Sequence, residues 1–198
     1  FNHLHDFELN GDEQSMHDLR VEIKKMRAII KFLQSIYSRP HLKEPAHLIR
    51  HIFQRAGRIR EEQLLQIWLR KNNLVSIESN CYPPEKLEFL VEEFRRHSIQ
   101  YKDDFKEIIA VLDGLVRNTN VILAEHYFVD INSRVEKLIR RNLPQTEWHE
   151  LRKLIKQRLF SYNWVEHGEG DDDPNFSFFQ KLQEAIGLWH DLDIIKQS

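Results

Sequence analysis

Apolar residues recur along this chain at intervals of three and four, and no stretch sustains the alternation of a half-buried strand. The pattern predicts six principal helices. Residues 1–13 read as polar and frayed, with Ser15 as the N-cap of a first helix that runs to about Ser38 and is closed by Pro40. After a short connector, a second helix spans about Ala46 to Arg70, with Leu48, Ile49, Ile52, Phe53, Ala56, Ile59 and Ile67 on one face. A loop containing Cys81 leads to a long helix from Glu85 to about Gly114, carrying Leu87, Leu90, Phe94, Phe105, Ile108 and Leu112. A fourth helix covers Asn120 to Asn142, stopped by Pro144. A fifth covers Gln145 to Trp164, capped by Thr146, and a sixth covers Asn175 to Lys196. The expected fold class is all-α, a helical bundle.

Within the first helix, 100° per residue places His17, Arg20, Lys24, Arg27 and Lys31 on one arc roughly 80° wide. Met16 and Ile23 border that arc on one side, and Val21, Ala28 and Phe32 on the other. Asp18, Glu22 and Lys25 mark the face open to water. A cationic stripe hemmed in by apolar residues should point into a groove, where burial demands an anionic partner.

Composition narrows the picture. Apolar residues make up 41% and charged residues 30%, ordinary for a globular protein. The 29 basic and 31 acidic residues nearly cancel, so the distribution of charge carries the message and its sum does not. The single cysteine excludes an internal disulfide and fits a reducing, cytoplasmic setting. No apolar run approaches the roughly 18 residues of a membrane span, so no membrane partner is expected.

The first motif has an echo. His17-x-x-Arg20-x-x-x-Lys24 recurs as His149-x-x-Arg152-x-x-x-Lys156, offset by 132 residues. Gly57-Arg-Ile-Arg60-Glu61 is matched by Gly187-Leu-Trp-His190-Asp191, offset by 130, so the two halves keep nearly the same internal spacing. This predicts one domain over 1–198 built from two pseudo-symmetric helical repeats, about 15–117 and about 118–197, around a shared basic cleft. Arg60 lies inside an apolar arc, where a lone arginine is costly, so its partner is expected on another helix.

These residues resemble the CHAD family, the "conserved histidine α-helical domain". His17, Arg20, Lys24, Lys25 and Arg27 match its first motif in full, and Gly57, Arg60 and Glu61 match its second with Glu where Asp is usual. His149, Arg152 and Lys156 repeat the first motif with Gln157 and Leu159 at positions usually basic. Gly187 and Asp191 repeat the second, with His190 at the position of Arg60. The resemblance implies two helical bundles around a basic cleft that binds inorganic polyphosphate or another phosphate-rich polyanion. The phosphate-binding set would then be His17, Arg20, Lys24, Lys25, Arg27, Lys31, Arg60, His149, Arg152, Lys156 and His190, with no catalytic residue, no metal and no cofactor.

Three other readings stand beside it. A scaffolding protein with a vestigial groove would keep the fold without the binding. A metal-dependent phosphohydrolase would draw on the eleven histidines and the His190-Asp191 pair, but His17 and His149 sit among cations that repel a metal. Nucleic acid is a weaker candidate, because the aromatics follow core spacing and leave few for base stacking. The Asp171–Asp173 run lacks the ligand alternation of a calcium loop, and Cys81 has no histidine near it in sequence.

Overall fold

A computed structural model describes residues 2–37, 40–73, 84–139, 143–165 and 176–197. Cys81, Asp171–Asp173 and the side chains of Thr146, His190 and Asp191 lie outside what is described. The described residues form α1 (Asn2–Asn10), α2 (Glu13–Ile36), a 3-10 turn (Pro40–Leu42), α3 (Lys43–Lys71), α4 (Pro84–Arg96), α5 (Ser98–Arg117), α6 (Val121–Ile139), α7 (Gln145–Val165) and α8 (Phe176–Gln197). No strand occurs among them. The all-α expectation holds, and most boundaries fall within three residues of those expected.

Two helices depart from expectation. Residues 2–10 are not frayed. Leu4 and Phe7, three apart on one face, are fully buried, and the Phe7 ring meets Phe94 edge-on at 5.5 Å. Gly11 then closes α1 at φ +64°, its N–H reaching the Phe7 carbonyl at 2.8 Å, the geometry of a left-handed helix cap. The chain turns directly into α2, where Asp12 takes the capping role expected of Ser15. Its carboxylate accepts the Ser15 N–H at 2.7 Å, three residues on, which satisfies one orphan donor of the first turn.

The long helix expected over 85–114 is divided at His97. There the His97 N–H turns back to the Phe94 carbonyl at 3.1 Å, and Nδ1 of His97 donates to the Glu93 carbonyl at 2.8 Å. Neither proline nor glycine marks the break. Buried Phe94, Ser98 and Tyr101 on either side hold it, so tertiary packing sets the turn.

The chain divides into two compact units. The first comprises Phe1–Arg27 and Pro40–Gly114, the second Ala28–Arg39 and Leu115–Ser198, so α2 contributes to both. In the first unit, Met16, Leu19 and Ile23 of α2 and Ile49, Ile52, Ala56 and Ile59 of α3 supply core, with Phe94, Tyr101, Phe105 and Ile108. In the second, Val135, Leu151, Ile155, Leu159, Phe179 and Ile186 form one cluster, and Phe32 packs edge-on against Tyr127 at 4.8 Å.

Candidate anion-binding site

Burial sorts the α2 stripe residue by residue. His17 and Lys31 are exposed, whereas Arg20, Lys24 and Arg27 are half-buried beside the buried Met16, Ile23 and Ala28. Lys31 also falls in the other unit. Lys25 points elsewhere: its Nζ pairs with Glu22 at 2.6 Å on the solvated face, one turn back along the helix.

Arg20 and Arg27 are two helical turns apart and meet the same aromatic ring. Their guanidinium carbons lie 4.5 and 4.4 Å from the centroid of Phe53, within cation–π range. Arg20 also donates weakly to the Phe53 carbonyl at 3.4 Å. Phe53, read from sequence as a core residue, is half-buried and serves as the platform that spaces two cations. One turn further along α3 stands Gly57, where an added Cβ would lie 2.9 Å from Nη1 of Arg20. The glycine of the second motif is therefore the floor on which the arginine of the first motif rests.

The electrostatics of this corner are unfavourable to the charges it holds. Burial pushes the Arg20 guanidinium below its ordinary value, Glu61 pulls it back, and Arg60 and Arg27 add repulsion. Burial does the same to Arg27, with Arg50 repelling it. Among the described residues neither Arg20 nor Arg27 has a carboxylate within ion-pair distance. Arg60 does: its Nη1 meets Glu13 at 2.8 Å, on another helix as the burial argument required. The sequence motifs do not single out Arg50. Its position three residues before Phe53, on the same helix face, is the available signal.

The second unit repeats the arginine–glycine pairing. A Cβ at Gly187 of α8 would lie 3.0 Å from Nη2 of Arg152 on α7, the counterpart of Gly57 against Arg20. Arg152 is half-buried, and its Nε is buried without a hydrogen-bond partner among the described residues. His149 is exposed and Lys156 half-buried. Trp148 and Trp189 flank this corner with ring centroids 6.2 Å apart. Arg158, which the repeat does not single out, is only 3% exposed, stacked 4.4 Å from Phe179 and donating through Nε to Asn132 at 2.7 Å.

Among the described residues no three His, Cys, Asp or Glu side chains converge as metal ligands. No described helix is long and apolar enough to cross a membrane. What the geometry defines is an all-helical protein in which a His-x-x-Arg helix sets its arginine against a helical glycine, once in each unit. A sequence profile of the CHAD domain matches residues 1–197, and the chain belongs to the CHAD domain family. No curated protein and no solved structure matches it.

Proposed function

We propose that this chain is a non-catalytic polyanion-binding module of the cytoplasm whose ligand is inorganic polyphosphate. One observation carries the reading: Arg20 and Arg27 share the Phe53 ring, half-buried, with Arg50 and Arg60 as further cations and, among the described residues, only Glu61 acting to offset Arg20. Like charges held together at partly desolvated positions raise the free energy of the empty site. A polyphosphate segment removes that repulsion and accepts hydrogen bonds from the planar guanidinium forks. Lys24 lies on the same stripe and adds a point charge.

In this reading the chain is a duplication, and Arg152 with Lys156 forms the weaker second set. Arg60 is partly committed to Glu13, and Lys25 to Glu22, so both contribute mainly through their field. Polyphosphate of long chain length, titrated at several salt concentrations, tests the proposal. Affinity should fall log-linearly with salt through counterion release, and Arg20→Glu with Lys24→Glu should lower both the affinity and the slope. A folded double variant that binds as the parent does would favour a scaffolding role.

A further inference from the structure

The second unit carries a separate cationic groove of about 450 Å³. Arg134 and Lys137 on α6, Lys153 on α7 and Lys31 from the end of α2 line it, with Leu138 and Leu154 along its apolar side. Among the described residues Glu150 is the sole carboxylate in the lining. None of Arg134, Lys137 and Lys153 belongs to the arginine–glycine sets. On α7 the groove takes positions 150, 153, 154 and 157, a helix face turned from that of His149, Arg152 and Lys156. The repeat offset of 132 does not generate it either.

From these residues we propose that this groove is a second anion site, fitted to a compact oligophosphate of two or three phosphate groups. Its volume is that of a small-molecule pocket. Four cations from three elements converge on it, and the leucines supply a low-dielectric wall that concentrates their field. Glu150 acts as a resident competitor. Its oxygen accepts from Lys153 at 2.8 Å, which holds the carboxyl below its usual range, and Lys153, His149 and Lys31 add their charges. An incoming phosphate displaces this carboxylate and takes Lys153 for itself. Arg134 is shared with Asp130, 3.9 Å away one turn back on α6 and outside the groove lining, so an incoming phosphate competes with that long, exposed pair. The oligophosphate can be inorganic or the tail of a nucleotide, since the apolar side accommodates an organic group.

Calorimetric titration of the full chain with tripolyphosphate, and separately with ATP, at low salt tests the site. Tripolyphosphate should bind, and Arg134→Glu with Lys137→Glu should weaken it at least tenfold. In the Arg20→Glu, Arg27→Glu chain, which lacks the polyphosphate site, tripolyphosphate binding should persist at this groove and be lost when Arg134→Glu and Lys137→Glu are added, which keeps the two sites distinguishable. Glu150→Gln should tighten binding severalfold, a direction that a merely structural Lys153–Glu150 pair would not produce. The neutral pair Arg134→Gln and Lys137→Gln should act in the same direction if the reversals perturb folding. Tighter binding of ATP, abolished in the same variants, would assign the site to a nucleotide tail, and weaker binding to an inorganic ligand. Absence of binding to the parent, indifference to the Arg134 and Lys137 changes, or no binding left in the Arg20→Glu, Arg27→Glu chain would overturn the proposal.

Discussion

Gly57 bears on Arg20 as directly as any side chain could, because a methyl group there would stand 2.9 Å from its Nη1. The atom it would strike is the far end of a flexible side chain, so Gly57→Ala moves the guanidinium and leaves the helices in place. Alanine also gains about 1 kcal/mol over glycine inside a helix. The variant should therefore melt at the same or a higher temperature than the parent while binding polyphosphate about tenfold more weakly, or ~1.4 kcal/mol. Unchanged affinity in a thermal melt and titration of the same sample would show that the placement of Arg20 does not matter.

The same pair marks how far the sequence can be read. Gly57 and Arg20 are visible as motif letters 37 positions apart, but nothing in the spacing says that one is the floor of the other. Phe53 carries the periodicity of a core residue and fulfils it only by half, since its ring lies against Arg20 and Arg27. The six expected helical stretches are legible because caps, prolines and a 3.6-residue period agree locally. The division at His97 and the docking of α1 are not, because each depends on partners distant in sequence or brought together by packing: Phe94 with Tyr101 in one case, and Lys102 holding Glu8 at 2.5 Å in the other. Nothing in sequence distinguishes Arg134 and Lys137 from an ordinary solvated face, and only the approach of α2 and α7 gives them a groove.

The α1–α2 corner makes a second prediction. Gly11 combines a positive φ with a Cβ direction that runs within 2.7 Å of Nη2 of Arg95. Gly11→Ala incurs the left-handed backbone cost of about 1–2 kcal/mol before any repacking. Urea unfolding should show a lower midpoint with an unchanged slope, the signature of reduced stability without a change in the surface exposed. A midpoint equal to that of the parent would mean that the corner opens at no cost.

Acid should destabilise the first unit in two steps of the same sign. Burial holds His51 below its ordinary value, Arg55, His47 and His97 reinforce this, and Asp104 opposes it. The unfolded chain recovers an imidazole near about pH 6.5 and binds the extra proton. The stability from His51 is therefore full above that pH and lost as pH falls through the lower folded value. Burial raises Glu8, but Lys102, Ser98 and His5 outweigh it and hold the carboxyl below its usual range. Its contribution is present above the ordinary carboxylate range and lost on further acidification. Denaturant melts between about pH 7.5 and about pH 3 should show a steady fall, with His51→Asn flattening the upper part and Lys102→Met the part below the ordinary carboxylate range.

In the second unit, Asn132 gives Arg158 a 2.7 Å acceptor at a position almost closed to solvent. Asn132→Ala leaves that Nε donor buried without its acceptor, which costs about 1–3 kcal/mol. The loss should register in thermal unfolding while polyphosphate affinity stays near that of the parent, because Arg158 faces Phe179 and belongs to neither arginine–glycine set.

The two sets differ in what surrounds the arginine, and binding should follow that difference. Arg20 has Arg27 on the same ring, with Arg60 and Arg50 acting on one or the other, while Arg152 has Lys156 one turn along and neutral Gln157 and Leu159 beyond. Removing one phosphate interaction should lower the salt slope of binding by about 0.7–0.9. Arg20→Glu with Arg27→Glu should therefore remove about two such increments and weaken polyphosphate binding well beyond tenfold. Arg152→Glu with Lys156→Glu should remove less than half as much affinity. Parallel titrations at three or more salt concentrations separate the outcomes, since equal losses would mean that the two sets carry the ligand equally, and a larger loss from the second would reverse the assignment made to Arg20 and Arg27.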